Sequence, residues 1–399
     1  MRGASPLPLP TPTHNHREDR SLVCGAKLNW MDINAVPAAD GDLAFEVVPI
    51  PGKGHGCRAR RDIAQGERIF AERPLVEQGP GKPTLQAAVD ALSPVDRGRF
   101  FALTQNESKY GTKKSARGIF MTNAHPCHDH SPLHRGIFPT VARFNHACYP
   151  SAVYRWNAAL QQLTVHATRR ILAGTEICVS YSFDGLRREE RQRHLRDIFG
   201  FACRCSKCTL SGDALRESDE RLTALGDVDA CARALCDDGT RHFLQHALQL
   251  DPATFLSRLD ARFQLLLSEF PEGHMDGVEC YLQLFVEVLE RIASKLLRVA
   301  DRADSGRDAN ALSKASAGAL SSPGAVRDAA ATYMGAAHAW ALMARDASRD
   351  LKGEDSPAYG LWAAAIDEGY WRPGGGLDFH VRWIDAGLAR HSYCHRLVI

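Results

Sequence analysis

Three cysteines stand within six residues of one another, in the pattern Cys-x-Cys-x-x-Cys formed by Cys203, Cys205 and Cys208. Thiolates at this spacing can hold one metal ion together, and a structural zinc ion takes four ligands in a tetrahedron. The pattern therefore predicts a zinc site whose fourth ligand comes from another part of the chain. The alternative, three free thiols in a loop, is disfavoured because the cluster is so tight.

Three other segments combine residue types that could bind a ligand or assist a reaction. Segment 53–56 (Lys-Gly-His-Gly) has two glycines, which let the backbone approach a ligand closely, and a cation that could meet a carboxylate. Segment 145–148 (Asn-His-Ala-Cys) places an amide, an imidazole and a thiol between apolar residues. Segment 176–181 is an apolar strand ending in Tyr181, whose hydroxyl could orient an amine. Each segment alone is more often structural than functional.

Period-two patterns predict the strands that must position these segments. Alternation in residues 43–50 indicates a strand, and residues 153–167 indicate a hairpin. Residues 61–71 and 170–181 each indicate a strand, a glycine-containing turn and a second strand. Two such similar ribbons, about a hundred residues apart, predict one discontinuous β domain. An insertion with partly helical spacing interrupts it at about residues 79–135.

Helical patterns follow the β domain. Asp184 is expected to cap a charged helix that ends at Gly200, and Asp251-Pro252 is expected to begin a later helix. The predicted organisation is a disordered segment at 1–40, a β domain at 41–185, a cysteine segment at 186–211 and a helical domain at 212–399 with a linker at about 301–325.

Composition excludes several classes of function. A net charge of +2 and a pI of about 8.0 disfavour a nucleic-acid or membrane-surface partner. No apolar run reaches the roughly 20 residues that span a bilayer, and the first residues lack the apolar segment of a signal peptide. A cytoplasmic or nuclear location is therefore expected, where the twelve cysteines would be thiols or metal ligands rather than disulfides.

Taken together, and in their order along the chain, the four segments resemble the SET domain with its post-SET zinc motif. The split arrangement is similar to the SET-and-MYND lysine methyltransferases and their fungal relatives, although the insertion lacks the paired cysteines of a MYND finger. The resemblance covers about residues 43–210. It implies an α+β fold: a β-rich SET domain in which one segment threads beneath another as a pseudoknot, followed by an all-α C-terminal domain.

The resemblance also implies roles for particular residues. Cys148 matches the fourth zinc ligand, and Tyr181 matches the catalytic tyrosine. The expected contacts to the cofactor, S-adenosylmethionine, are Lys53, Gly54, His55, Gly56, Asn123, Asn145, His146 and Phe201. The implied reaction is methyl transfer to the side-chain amine of a lysine in a protein or peptide substrate, histone or non-histone. The C-terminal helices could bind a further protein partner.

The chain departs from the family's Asn-His-Ser-Cys-x-Pro-Asn pattern at two positions. Ala147 replaces the serine, and Ser151 replaces the final asparagine, so looser support of the threaded crossing is expected. This departure motivates an alternative, a catalytically weak or inactive SET scaffold that acts as a protein-interaction module. Nucleic-acid binding is a third hypothesis, without the basic stripe it needs. The cramped residues 125–130, which contain three histidines and Cys127, are expected to form an exposed polar loop rather than a second metal site.

Overall fold

The computed structural model describes residues 43–127, 133–182, 186–236, 251–270, 275–306, 322–369 and 371. Predictions for residues 1–40, for His128, His130 and Asp184, and for most of the expected linker lie outside these residues. No helix in the described ranges is both long and apolar enough to cross a membrane.

The described chain is α+β, as expected. Its strands are β1 (Phe45–Ile50), β2 (Gly54–Ala59), β3 (Arg68–Glu72), β4 (Val76–Gln78), β5 (His125–Pro126), β6 (Arg135–Ile137), β7 (Asn145–His146), β8 (Ala152–Asn157), β9 (Gln162–Ala167) and β10 (Glu176–Val179). Its helices are α1 (Leu85–Asp90), α2 (Pro94–Ala102), α3 (Glu107–Tyr110), α4 (Ala116–Asn123), α5 (Arg188–Phe199), α6 (Gly212–Cys236), α7 (Pro252–Glu269), α8 (Met275–Asp304), α9 (Pro323–Lys352) and α10 (Pro357–Asp367).

The strands form three small sheets with the orders β1-β2-β10-β7, β3-β9-β8 and β4-β6-β5. The two predicted ribbons form only in part. Their first arms are reduced to one bridge, in which Ile63 and Ile171 exchange two backbone hydrogen bonds, each 2.9 Å long. Their second arms, β3 and β10, pair with other strands instead of with the first arms. The turns between the arms contain Gly66 (φ +78°) and Gly174 (φ +81°), a left-handed conformation that glycine adopts readily. Helices α1 to α4 lie in the insertion between the ribbons.

Strand β10 brings distant parts of the chain side by side. It pairs antiparallel with β2 and parallel with β7, so segments from both sides of the insertion share one sheet. The backbone after β7 stays against β10, since Ala147 N–H donates to the Val179 carbonyl and Ser151 N–H donates to the Cys178 carbonyl. Residues 145–151 and 176–181 are therefore held together over their length.

The C-terminal helices have an apolar core of their own. Asp251 caps α7, as predicted, by accepting the Thr254 N–H at 2.9 Å, and Pro252 occupies the first turn. The stripe expected on α8 is buried at its described positions, and α8 packs against α7 and α9. The buried positions are Leu282, Phe285, Leu289, Ile292 and Leu296. This stripe is thus a core face of a helical bundle.

Two local predictions were wrong. Helix α5 ends at Gly200 (φ +81°), as expected, but its N-cap position is Arg187, whose backbone N–H donates to the Glu190 carboxylate at 2.9 Å. The predicted exposed loop also fails, because Cys127 is buried. His125 lies in β5 with its ring 4.4 Å from the ring of Tyr154. Pairing of β5 with β6 draws this segment onto the sheet.

Candidate active site and metal centre

The four predicted metal ligands converge. Four sulfur atoms lie within 4.8 Å of one another, those of Cys148, Cys203, Cys205 and Cys208. The sulfur of Cys148 is 3.4 Å from that of Cys208 and 4.0 Å from that of Cys203. Tetrahedral zinc with Zn–S bonds near 2.3 Å separates its sulfurs by about 3.8 Å. The spacing and the donor chemistry therefore fit one structural zinc ion.

The four thiols share hydrogen bonds and lie beside a buried cation. Hydrogen bonds with the other three thiols, and one from the Cys148 backbone N–H at 3.4 Å, lower the pKa of the Cys205 thiol, whereas hydrogen bonding within the cluster raises the pKa of the Cys148 thiol. The guanidinium of Arg191 is buried and reaches the sulfurs of Cys208 and Cys148. A buried cation beside four thiols stabilises their ionised forms, which are the forms that bind a metal.

His146 joins the cluster to Tyr181. Its Nδ1 accepts the Tyr181 backbone N–H at 2.9 Å, so the ring proton lies on Nε2, which is 3.2 Å from the Cys148 sulfur. Burial lowers the pKa of His146 to about 4, so the ring is neutral near pH 7. The imidazole, expected at the cofactor, is therefore engaged in orienting a metal ligand and the tyrosine backbone.

Tyr181 has a defined orientation. Its hydroxyl donates to the Phe144 carbonyl at 2.7 Å. The fully buried Phe144 ring packs 5.1 Å from the ring of Phe45 in the β core, which fixes that carbonyl. The Phe199 ring lies 4.7 Å from the tyrosine ring. Burial raises the pKa of Tyr181 well above its usual value, so the hydroxyl stays protonated in the physiological range.

A polar cluster surrounds Asn145. Its amide nitrogen donates to the His55 carbonyl at 3.2 Å and to the Glu176 carboxylate at 2.9 Å. The ammonium of Lys53 pairs with the same carboxylate at 2.7 Å. A Cβ on Gly56 would lie 2.5 Å from the Asn145 amide nitrogen, so glycine is needed for this close approach. Lys53, His55, Gly56 and Asn145 thus lie close together around the Glu176 carboxylate.

The two remaining predicted cofactor contacts lie in different places. The Phe201 ring is 6.0 Å from the His146 ring and 6.3 Å from the Tyr181 ring, so it belongs to the same aromatic group. Asn123 ends α4 in the insertion, where its amide nitrogen donates to the carbonyls of Thr104 at 2.7 Å and Ile119 at 2.8 Å. Both carbonyls that the Asn123 amide contacts belong to the insertion.

Ser151, one of the two positions where looser support was expected, is hydrogen-bonded to β10. Ser151 is buried, and its hydroxyl accepts the Cys178 N–H at 3.1 Å. The Ser151 N–H donates to the Cys178 carbonyl at 2.9 Å. Ser151 therefore makes two hydrogen bonds to Cys178 of β10.

Sequence reasoning assigned no role to three residues that shape the site. Glu176 binds both Lys53 and Asn145, and a carboxylate at the start of the tyrosine strand was the available signal. Arg191 lies on α5, a helix with many charged residues, so nothing in the sequence distinguishes it from an exposed arginine. Asn106, from the insertion, donates to the carbonyls of Arg196 and Asp197 at the end of α5, at 3.3 and 3.2 Å. No local pattern marks such a contact.

Comparisons with known proteins agree with this arrangement. A SET domain profile matches residues 54–182. Over 221 residues the chain is 33% identical to histone-lysine N-methyltransferase set5 of Schizosaccharomyces pombe, an alignment covering 54% of this chain and 68% of the relative. It is 37% identical to human N-lysine methyltransferase SMYD2 over 79 residues, 20% of this chain and 18% of that protein.

A solved structure of Rubisco LSMT bound to AdoMet aligns over 92% of this chain and 97% of its own, with 12% identity and a TM-score of 0.30, too low to support an argument. The family assignment depends instead on the profile, on the set5 alignment and on the order of the motifs. By these findings, the chain belongs to the SET-domain family of lysine methyltransferases.

Proposed function

We propose that this protein transfers a methyl group from S-adenosylmethionine to the side-chain amine of a lysine in a protein substrate. The observation that carries the proposal is the position of Tyr181. Its hydroxyl is held by the Phe144 carbonyl, and its backbone is held by His146, beside the cysteine cluster. The relative named as a histone-lysine N-methyltransferase supports a histone or another protein as substrate, in the nucleus or cytoplasm.

The residues around Asn145 suit the proposed methyl donor. S-adenosylmethionine carries a carboxylate, an amine, ribose hydroxyls and an adenine ring, and when bound it supplies a methyl group activated by a sulfonium. The half-exposed Lys53 ammonium suits the carboxylate. The backbone at Gly54 (φ +73°) has open space beside it, so a ligand can approach closely. The Phe201 ring offers an apolar face for the adenine.

The chain's own groups would orient the amine. Because the Tyr181 hydroxyl donates its proton to the Phe144 carbonyl, its oxygen can accept a hydrogen bond from a lysine N–H. The Phe199 and Phe201 rings beside Tyr181 would give the amine apolar surroundings, which favour its neutral, nucleophilic form. Fixing the amine direction in this way lowers the entropic part of the barrier.

The proposed zinc ion has a structural role. Cys148, Cys203, Cys205 and Cys208 would hold it, which leaves no open coordination position for catalysis. The same cluster packs against Tyr181, Phe199 and Phe201. The zinc centre would thus stabilise the wall of the site that carries the aromatic rings.

A methyl-transfer assay with a matched tyrosine variant tests the proposal. Purified protein is incubated with radiolabelled S-adenosylmethionine and either histones or cell extract. We expect Tyr181→Phe to lower the labelling rate about 100-fold, because the amine loses its orienting acceptor. Donor binding, measured by calorimetry, should remain. Tyr110→Phe, in the insertion, serves as the control and should label at the wild-type rate. No donor binding by the wild type would reject the proposal.

The scaffold alternative predicts a different result. It drew support from Ala147 and Ser151, but the two hydrogen bonds of Ser151 to β10 weaken that argument. A scaffold would give no labelled protein with either wild type or Tyr181→Phe. Loss of donor binding in Asn145→Ala, together with loss of transfer in Tyr181→Phe, would exclude it.

A further inference from the structure

The residues beside two of the cysteines reach the same residue of the C-terminal helices. Tyr149 follows Cys148, and its hydroxyl donates to the backbone carbonyl of Glu269 at 2.9 Å. Lys207 precedes Cys208, and its ammonium pairs with the Glu269 carboxylate at 2.9 Å. Glu269 is the last residue of α7. Glu269 thus contacts a residue next to a cysteine in each of the two sequence segments that form the cluster.

The ammonium of Lys207 occupies a site built for a cation. It lies 4.7 Å from the centre of the Tyr149 ring and 4.3 Å from the centre of the Phe270 ring. Only 1% of the lysine side chain and none of the Glu269 side chain is exposed. Aromatic faces and the carbonyl end of a helix both attract a cation, and burial strengthens these interactions.

The Glu269 carboxylate has partners on both oxygens. Oε1 accepts from the Ser218 hydroxyl at 2.7 Å and pairs with Lys207, while Oε2 accepts from Arg221 Nε at 3.0 Å. Ser218 and Arg221 belong to α6, which follows the cysteine segment. A buried carboxylate with this many donors is held in one orientation. It can therefore fix the positions of the groups that bind it.

The contacts extend from Glu269 to the proposed catalytic wall. Lys207 stands between Cys205 and Cys208, so its position sets the conformation of the cysteine loop. The cysteine cluster packs in turn against the Tyr181, Phe199 and Phe201 rings. We propose that Glu269 is a positioning residue that, through Lys207 and Tyr149, holds the cysteine cluster closed around its metal. This inference rests on the zinc centre proposed above and not on methyl transfer.

The test measures how fast zinc leaves the protein. Zinc-loaded full-length variants are mixed with excess colorimetric chelator, and the release rate is followed. Loss of a group that orients a metal ligand typically lowers metal affinity about 10- to 100-fold, so we expect Glu269→Gln and Lys207→Met to release zinc faster than wild type by a factor in that range. Tyr149→Phe removes only one hydroxyl and should accelerate release a few-fold.

Two controls separate positioning from general stability. Ile292→Ala opens a cavity in the helical core and should lower thermal stability; Ile292 lies on α8, which supplies none of the Glu269 contacts described above. This variant should release zinc near the wild-type rate. Lys207→Arg keeps a cation beside Glu269 and should release zinc more slowly than Lys207→Met. If Glu269→Gln fails to fold, Tyr149→Phe and the pair of Lys207 variants decide.

Equal release rates in wild type, Tyr149→Phe and Lys207→Met would overturn the inference. Equal acceleration in Ile292→Ala and Lys207→Met would also overturn it, because zinc loss would then follow general stability. A wild type that binds no zinc would reject the inference together with the metal centre. The labelling assay with Tyr181→Phe would still decide methyl transfer independently.

Discussion

The ion pairs Lys207–Glu269 and Arg68–Asp355 both join earlier parts of the described chain to the C-terminal helical region, and they differ in burial. Lys207 and Glu269 are essentially inaccessible to solvent, with 1% and 0% of their side chains exposed. Arg68 and Asp355 also connect a segment near a sheet to the helical region, but 34% and 39% of their side chains are exposed. The charges are alike, whereas the surroundings differ.

The difference shows why ion pairs cannot be counted as equal contributions. Water and salt screen an exposed pair, and its flexible side chains lose entropy on pairing. A buried pair is costly to desolvate, but removing one partner then leaves an uncompensated charge. The Lys207–Glu269 contact is therefore expected to be sensitive to substitution, while Arg68–Asp355 is expected to be tolerant.

The largest expected effect comes from removing a metal ligand next to the buried pair. Cys208→Ala should remove much of the ~10 kcal/mol that a structural zinc ion can contribute to folding. Urea unfolding of the zinc-loaded protein measures the loss. Cys127→Ala, at another buried cysteine outside the cluster, is the matched control and should cost only about 1 kcal/mol. Equal losses would show that the cluster binds no metal.

Breaking the buried pair itself should have the second largest effect. Lys207→Met keeps most of the apolar stem but leaves Glu269 with only its α6 partners. We expect a loss of about 3 kcal/mol in the free energy of unfolding, the lower end for one buried partner. The double variant Lys207→Met/Glu269→Gln should lose less than the sum of the single variants. Additive losses would mean that the two side chains do not interact.

Breaking the exposed pair should change stability by less than about 1 kcal/mol. In Asp355→Asn the carboxylate that accepts from Arg68 and from the Asn157 amide becomes neutral. The small loss should shrink further in 0.5 M salt, because the pair is screened. Urea unfolding at two salt concentrations provides the measurement. A loss as large as that of Lys207→Met would erase the distinction between the two contacts.

The smallest expected effect is a dependence on pH beside the exposed pair. Burial lowers the pKa of His166 below its ordinary value, while its bond to the Gly66 carbonyl and Asp355 oppose that shift and Arg68 reinforces it. The unfolded chain then binds the proton more tightly. The stabilising contribution of neutral His166 is therefore complete above the unfolded-state pKa of about 6.5, and it is lost as pH falls through the pKa of His166 in the folded protein.

A histidine variant measures this contribution. The unfolding free energy of wild type should fall between pH 7.5 and pH 5.5 by more than that of His166→Gln, because the variant lacks the titrating ring. Urea unfolding at both pH values gives the comparison. Parallel pH profiles in the two proteins would contradict the predicted role of His166.

Much of the local structure was predictable, because it depends on neighbours in sequence. The sequence pattern predicted the β8–β9 hairpin and the strands β3 and β10, and the Asp-Pro pair predicted the start of α7. The first strand of each predicted ribbon is only a single bridge, because β3 and β10 pair with distant strands. Helix α5 begins at Arg188, later than the sequence suggested, and the Arg187 N–H at its N-cap donates to Glu190, one turn into the helix. Cys127 was misjudged because strand pairing, which is not local, buries it.

The residue types and their spacing determined which chemistry was available: three clustered thiols for one metal, a glycine-rich segment for a ligand and a tyrosine at a strand end. The fourth thiol, Cys148, followed from the family resemblance. The tertiary structure decided which partners these groups have. The His146 ring contacts a cysteine and the tyrosine backbone, and Glu269 reaches Lys207 across 62 positions of chain. Such contacts depend on how separate segments pack, and packing between distant segments leaves no periodic signal in either one.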